Sequence, residues 1–147
     1  MFKVCIISCG MIANSAHIPA YKQFSDDYEI VGVCDINEDA VKPLAEENNV
    51  PYVLDYKEIP GKFECDAVIL NLPHFLHCES TVFFLDNGIN VFIEKPMANT
   101  VAECDAMIEA AKRNGKKLAV AHIQRYFGAI AKMKEIYDSG ELGKFCM

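Results

Sequence analysis

The sequence predicts an α/β domain built on a doubly wound parallel sheet of about six strands with helices on both faces, and three observations carry that prediction. Short apolar, β-branched runs alternate with longer segments of helical periodicity along the whole chain. Gly, Pro, Asn or Asp punctuates nearly every junction. Several of the runs are apolar throughout rather than alternating, as strands covered on both faces must be.

The elements follow in order. Residues 3–8 form the first strand and 11–24 the first helix. A second strand at 29–34 leads to a helix at 38–48, where Pro43 removes an amide from the middle and predicts a kink or a late start. Residues 52–54 make a short strand, 56–60 a short helix, 67–72 the fourth strand and 74–87 the next helix. The fifth strand is 90–93. In the helix at 101–114, Val101, Met107, Ile108 and Ala111 fall on one stripe while Glu103, Glu109 and Lys112 face away. Asn99 or Thr100 caps it and Gly115 ends it. Residues 117–122 form the sixth strand and 128–139 a last helix. Strands separated by helices at this spacing require right-handed crossovers. Residues 140–147 begin a strand-like run without a partner. The expected division is therefore 1–125 as a ligand-binding domain, and 126–147 as a connecting helix and the start of a truncated second domain.

Composition sets the outer bounds. A chain of 147 residues with 52% hydrophobic and 24% charged residues has material for one folded domain. Fourteen basic against 21 acidic residues give a net charge of −7, so no cationic surplus exists for a nucleic-acid partner. The seven cysteines are odd in number and form no C-x-x-C pair. They read as reduced core fillers, which places the chain in the cytoplasm. The apolar run after Lys3 breaks at Ser8-Cys9-Gly10, short of the ~7–15 residues of a secretory core, and no run nears the ~18 of a membrane span, so no membrane partner is expected.

Ligands of open parallel sheets bind beyond the carboxyl ends of the strands, which selects the residues to read for chemistry. After the first strand, Ser8-Cys9-Gly10-Met11-Ile12-Ala13 fits G-x-G-x-x-G/A with Ser8 in place of the first glycine. Gly10 would let the backbone approach a diphosphate, and the amides at the helix start would face it. The plain alternative is a tight strand-to-helix turn. Asp35 ends the second strand 22 residues after Ala13, near the spacing of an acid that holds a ribose 2′-hydroxyl. A carboxylate there repels a 2′-phosphate and favours NAD over NADP; Asp35 is also a candidate cap for the following helix. Two histidines, His74 and His77, stand at a helix start without a third ligand, so hydrogen bonding outweighs a metal pair. Glu94-Lys95-Pro96 puts a carboxylate and an ammonium at the end of the fifth strand. Such charges are costly unless paired or solvated in a cleft, where a lysine near a cofactor can orient or polarise a substrate oxygen; a surface ion pair between Glu94 and Lys95 is the plain alternative. Beyond the sixth strand stand Arg125, Tyr126 and Phe127, the aromatics being equally suited to core stacking. A phosphoacceptor receiver domain, similar in size and build, fails because Ser8-Cys9 stands where its magnesium-binding acid pair belongs.

With these residues in place, the chain resembles the N-terminal half of the Gfo/Idh/MocA oxidoreductases, the glucose-fructose oxidoreductase and inositol dehydrogenase family. The resemblance rests on the Gly10 turn, Asp35, Pro73 to His77, Glu94-Lys95-Pro96, Arg125-Tyr126-Phe127 and Gly140-Glu141-Leu142-Gly143. It implies a Rossmann fold binding NAD(P), with Lys95 as the catalytic group beside nicotinamide and substrate, and a cis bond between Lys95 and Pro96. The implied cofactor contacts are Ser8, Gly10, Met11, Ile12, Asp35, Asn71, Leu72, Pro73, His74, His77, Glu94, Lys95 and Arg125, with no metal. Three positions depart from the family pattern: Ser8 replaces a glycine, Leu72 a hydroxyl residue and His74 an asparagine. The implied activity is hydride transfer between a nicotinamide and a sugar, polyol or related alcohol, with the substrate pocket in a second domain; a homo-oligomer is compatible with it. A stand-alone NAD-binding or regulatory module without catalysis is the competing expectation, which a binding titration set against a turnover assay separates.

Overall fold

The structure, a computed structural model, describes residues 1–144. Strands β1 (Phe2–Ile7), β2 (Tyr28–Cys34), β3 (Tyr52–Val53), β4 (Ala67–Leu70), β5 (Asn90–Ile93) and β6 (Leu118–Val120) form one sheet in the order β3-β2-β1-β4-β5-β6. Every pairing is parallel. The chain builds outward from β1 to β3, returns to the centre at β4 and builds outward again to β6. The order reverses between β1 and β4, which is where such sheets open a ligand crevice.

Alternation along the strands explains why the runs are apolar throughout. Val4 and Ile6 of β1 and Ile69 of β4 pack against Ile18 of α1 (Ile18–Gln23) and Val41 and Leu44 of α2 (Glu38–Asn48). Their neighbours Cys5, Ile7, Val68 and Leu70 point to the opposite face, with Ile59 of α3 (Ile59–Lys62), Phe84 and Leu85 of α4 (His77–Asp86), and Met107 and Ala110 of α5 (Val101–Asn114). Both faces are thus sealed, and every residue of β4 is buried.

Several expectations change on inspection. Helix α2 starts at Glu38 despite Pro43, because Asn37 caps it by accepting from the Asp39 N–H at 3.1 Å, and the proline sits on the exposed side. In α5 the buried stripe is Met107 and Ala110, whereas Val101 and Ile108 are exposed. Residues three and four apart around Met107 face the sheet, and 101 and 108 lie off that line. Thr100 is the cap, in a reciprocal capping box with Glu103, and Gly115 ends the helix in the left-handed region at φ 62°. The first helical segment starts at Met11 and contains a π turn, Ala13–His17, ahead of α1. The segment after Leu54 becomes a 3-10 turn, Tyr56–Glu58, running into α3, since Pro60 falls in the first turn of that helix where its missing N–H costs nothing. Helix α6 (Gly128–Ser139) has no buried residue. Of the strand-like run expected at 140–147, residues 141–142 form a turn between Gly140 and Gly143, both at positive φ, and 145–147 lie outside the described residues.

Cys5, Cys9, Cys34, Cys65, Cys78 and Cys104 are free thiols. Burial pushes Cys9 and Cys34 up to about 12, with the Asp35 carboxylate adding to the rise at each. Both thiols therefore stay protonated at neutral pH and serve as packing. Among the described residues no helix is long and apolar enough to cross a membrane.

Candidate functional site

The crevice begins where β1 ends. Ser8 has φ 68°, the left-handed conformation, and its N–H donates to the Cys34 carbonyl at 2.8 Å. The bend that a first glycine would adopt freely is therefore kept by a serine, at ~1–2 kcal/mol of strain. Gly10 differs: its φ is not positive, and a Cβ built on it would meet nothing within 4 Å. Neither backbone nor packing demands glycine there, and the space above its Cα is open. Helical turns start at Met11, leaving the Met11 and Ile12 N–H groups among those without an intrahelical acceptor. The Asn14 side chain fastens the loop, donating to the carbonyls of Cys9 at 2.7 Å and Gly10 at 2.9 Å.

Asp35, half-buried at the end of β2, is bound on both oxygens. Oδ2 accepts from the Cys9 N–H at 2.7 Å and Oδ1 from the Asn37 N–H at 2.9 Å. Asn37, not Asp35, is the helix cap. Each carboxylate oxygen keeps a lone pair for a further donor. Beside it lies a cleft of about 580 Å³ walled by Ile36, Leu54, Tyr56, Pro73 and Phe75, with Asp35 and Asp55 as its acids. Ile36 and Phe75 are 89% and 72% exposed at its rim. Large apolar side chains left open around a few polar groups are the usual lining of a small-molecule site. Neither residue was singled out by the sequence, since nothing in a local pattern distinguishes an exposed isoleucine from a core one.

Across the switch point, Asn71 follows β4 and donates its N–H to the Ile7 carbonyl at 3.0 Å. Both polar atoms of its side chain are buried without a hydrogen-bond partner. Each such orphan costs ~1–3 kcal/mol, so Asn71→Ala is expected to raise the stability of the ligand-free chain by about 1 kcal/mol after the lost packing is deducted. Thermal or urea unfolding measures it. Leu72, partly buried against the core, and Pro73 both line the cleft. His74 is exposed and meets the His77 ring edge-on at 5.4 Å, outside the cleft wall that Phe75 supplies instead. His77 does not line the cleft: it is 0% exposed, with Nδ1 2.8 Å from the Pro96 carbonyl and Nε2 2.9 Å from that of Leu72. It ties the loop after β4 to the turn after β5 from behind, and with both nitrogens engaged it is not available as a metal ligand. No group of three metal-capable side chains occurs among the described residues.

At the end of β5, Glu94 is paired inward rather than with Lys95. Its Oε1 lies 3.0 Å from Nε2 of His17, and its Oε2 accepts the Lys95 N–H at 3.2 Å. The Lys95 ammonium is exposed and has no ion-pair partner among the described residues; its peptide bond to Pro96 is cis. Lys95, Pro96, His122 and Arg125 line a second cavity of about 490 Å³ beyond β5 and β6. Arg125 is exposed, and Tyr126 and Phe127 are 88% and 50% exposed rather than stacked in the core. Sequence reasoning missed His17, whose partner stands 77 positions away.

The arrangement joins an anion-accepting turn, a fixed carboxylate beside an apolar cleft and an unpaired ammonium along one sheet edge. A family model described as "Oxidoreductase family, NAD-binding Rossmann fold", that of Gfo/Idh/MocA, matches residues 2–122. The inositol 2-dehydrogenase of Salmonella typhimurium is 32% identical over 149 residues, covering 97% of this chain and 43% of that protein. The D-glucoside 3-dehydrogenase of Escherichia coli is 30% identical over 143 residues, covering 97% and 40%. The solved WlbA dehydrogenase of Bordetella pertussis, in complex with NADH and UDP-GlcNAcA, superposes with a TM-score of 0.92 at 25% identity, over 97% of this chain and 41% of that one. The chain thus spans less than half the length of these relatives.

Proposed function

The chain belongs to the Gfo/Idh/MocA oxidoreductase family, as its NAD-binding Rossmann domain, and from that premise we propose that it holds NAD across the carboxyl edge of the sheet for hydride exchange with a sugar or polyol alcohol. When bound, the nicotinamide supplies the hydride chemistry. The residues supply position and charge. The turn from Ser8 to Ile12 presents backbone N–H groups to the diphosphate, and Asp35 accepts from the adenosine ribose. Ile36 and Phe75 flank the adenine. Leu72 and Pro73 continue the wall of the adenosine cleft, Asn71 and Glu94 frame the nicotinamide end, His74 and His77 support the loop after β4, and Arg125 faces the substrate side. Lys95 holds the proton exchanged at the substrate oxygen. The remaining wall of the substrate pocket belongs to the region that the relatives carry beyond the matched segment.

The observation that carries this reading is Gly10, a glycine required by neither conformation nor packing, beside an acid already bonded to the same loop. A residue-level division follows as part of the proposal: 1–125 bind the dinucleotide, and 126–147 lead onward through α6, whose Ile130, Met133 and Tyr137 are exposed. Free thiols suit a cytoplasmic setting.

Titration of the chain with NADH tests the reading. Saturable binding is expected, with NADPH weaker. Gly10→Ala is expected to weaken NADH at least about tenfold while leaving thermal unfolding unchanged, because its Cβ meets the ligand and nothing else. Absence of binding, or equal affinity in the variant, overturns it.

A further inference from the structure

We propose that His17 is a positioning residue: by gripping the Glu94 carboxylate it fixes the Glu94–Lys95 corner that faces the nicotinamide end of the dinucleotide. The inference rests on the NAD-binding reading and assigns a role to a side chain outside it.

The geometry is specific. His17 closes the π turn Ala13–His17, in the helical segment whose first N–H groups face the diphosphate site. Its Nε2 lies 3.0 Å from Glu94 Oε1, and the two side chains are only 12% and 16% exposed. The Phe92 ring meets the imidazole edge-on at 5.9 Å. Phe92 packs with the core on the α1 and α2 side of the sheet, and strand alternation sends Glu94 to that same face. Leu70 and Ile93 are partners in register, so Asn71 and Glu94 leave adjacent strands side by side beneath the first helical segment. A carboxylate this withdrawn from water requires a partner, and the side chain that supplies one is His17. The other oxygen, Oε2, takes the Lys95 N–H. A single carboxylate thus joins the helix that begins at the diphosphate turn to the backbone of the residue bearing the unpaired ammonium. Loss of the imidazole frees Glu94 to swing, and with it the direction of the Lys95 corner, while the Ser8 to Ile12 turn and Asp35 keep their own bonds.

The test separates the two ends of the ligand. Dissociation constants of the full chain and its variants are measured for NADH and for ADP-ribose, which carries the adenosine and diphosphate but no nicotinamide. His17→Ala is expected to weaken NADH about tenfold and to leave ADP-ribose within about twofold. His17→Gln, which restores a side-chain N–H at similar reach, is expected to recover most of the loss. In a Glu94→Ala background, His17→Ala adds nothing. Retained ADP-ribose binding reports that the fold is intact; if His17→Ala does not fold, His17→Asn, too short to reach, takes its place. Equal loss on both ligands, loss on neither, failure of His17→Gln to recover, or full additivity with Glu94→Ala overturns the inference alone. A wild-type chain that binds neither ligand overturns the NAD reading, and this inference with it.

Discussion

In the active protein, Lys95→Met is expected to lower turnover by about 10²–10⁴-fold while NADH affinity stays within about threefold. The size follows from what the side chain has and what it lacks. Lys95 stands at the carboxyl end of β5 beside the cavity that Arg125 and His122 also line. Its ammonium is exposed and has no carboxylate partner among the described residues, and Glu94, the nearest in sequence, is occupied by His17. An ammonium left unpaired at a ligand edge is available to a substrate oxygen, and removing a positioned acid or base costs the chemical step rather than binding. Lys95→Arg is not a conservative control, because a planar guanidinium neither titrates nor fits as a compact point charge. Steady-state kcat and KM with a fluorescence titration of NADH check the outcome; turnover within threefold of the wild type would remove Lys95 from the chemistry.

Asp35→Ser is expected to have the second largest effect, on two measurements at once. NADH affinity falls about 100-fold, and the ratio of NADH to NADPH affinity falls by a similar factor, since the variant loses the acceptor for the 2′-hydroxyl together with the charge that repels a 2′-phosphate. Stability falls too. The carboxylate accepts from the backbone N–H groups of Cys9 and Asn37, and charge-assisted bonds of this kind are worth ~1.5–3 kcal/mol each, partly replaced by water in the variant, for a net loss of about 2 kcal/mol. Paired titrations with NADH and NADPH and a denaturant curve read both effects. An unchanged preference between the two dinucleotides would deny Asp35 its role in selecting them.

The fold was legible where physics is local or periodic. The runs around Ile6, Val33, Ile69 and Val91 read as strands because a sheet covered on both faces has no polar side to obscure it. The ends of α5 were legible at Asn99 or Thr100 and at Gly115 because capping is a contact between near neighbours, and the structure selects Thr100, boxed with Glu103. Val101 and Ile108 are exposed although the periodicity puts them on the stripe with Met107, because the position of the sheet selects the line through Met107 and Ala110. Pro43 does not delay the start of α2, because the cap at Asn37 and the burial of Val41, Leu44 and Ala45 outweigh one lost amide bond.

At the candidate site, Gly10, Asp35 and Lys95 were legible because each sits directly after a strand, where topology alone places it at the ligand edge. His77 was recognised as notable, but its burial was not, because its two carbonyl partners belong to loops 5 and 19 positions away. His17 was invisible for the same reason at greater range. Asn71 is marked in the sequence only by the family resemblance; what sets it apart in the structure is the absence of partners around a buried amide, a property that exists only once the strands are assembled.

The two bonds on Asp35 have one more consequence. A carboxylate clasped by amides from two different loops has already surrendered its rotamer freedom when the chain folds, so an arriving ribose has no disorder to quench there. On the NAD-binding proposal, the Asp35 carboxylate is therefore a preorganised acceptor for the adenosine end of the ligand.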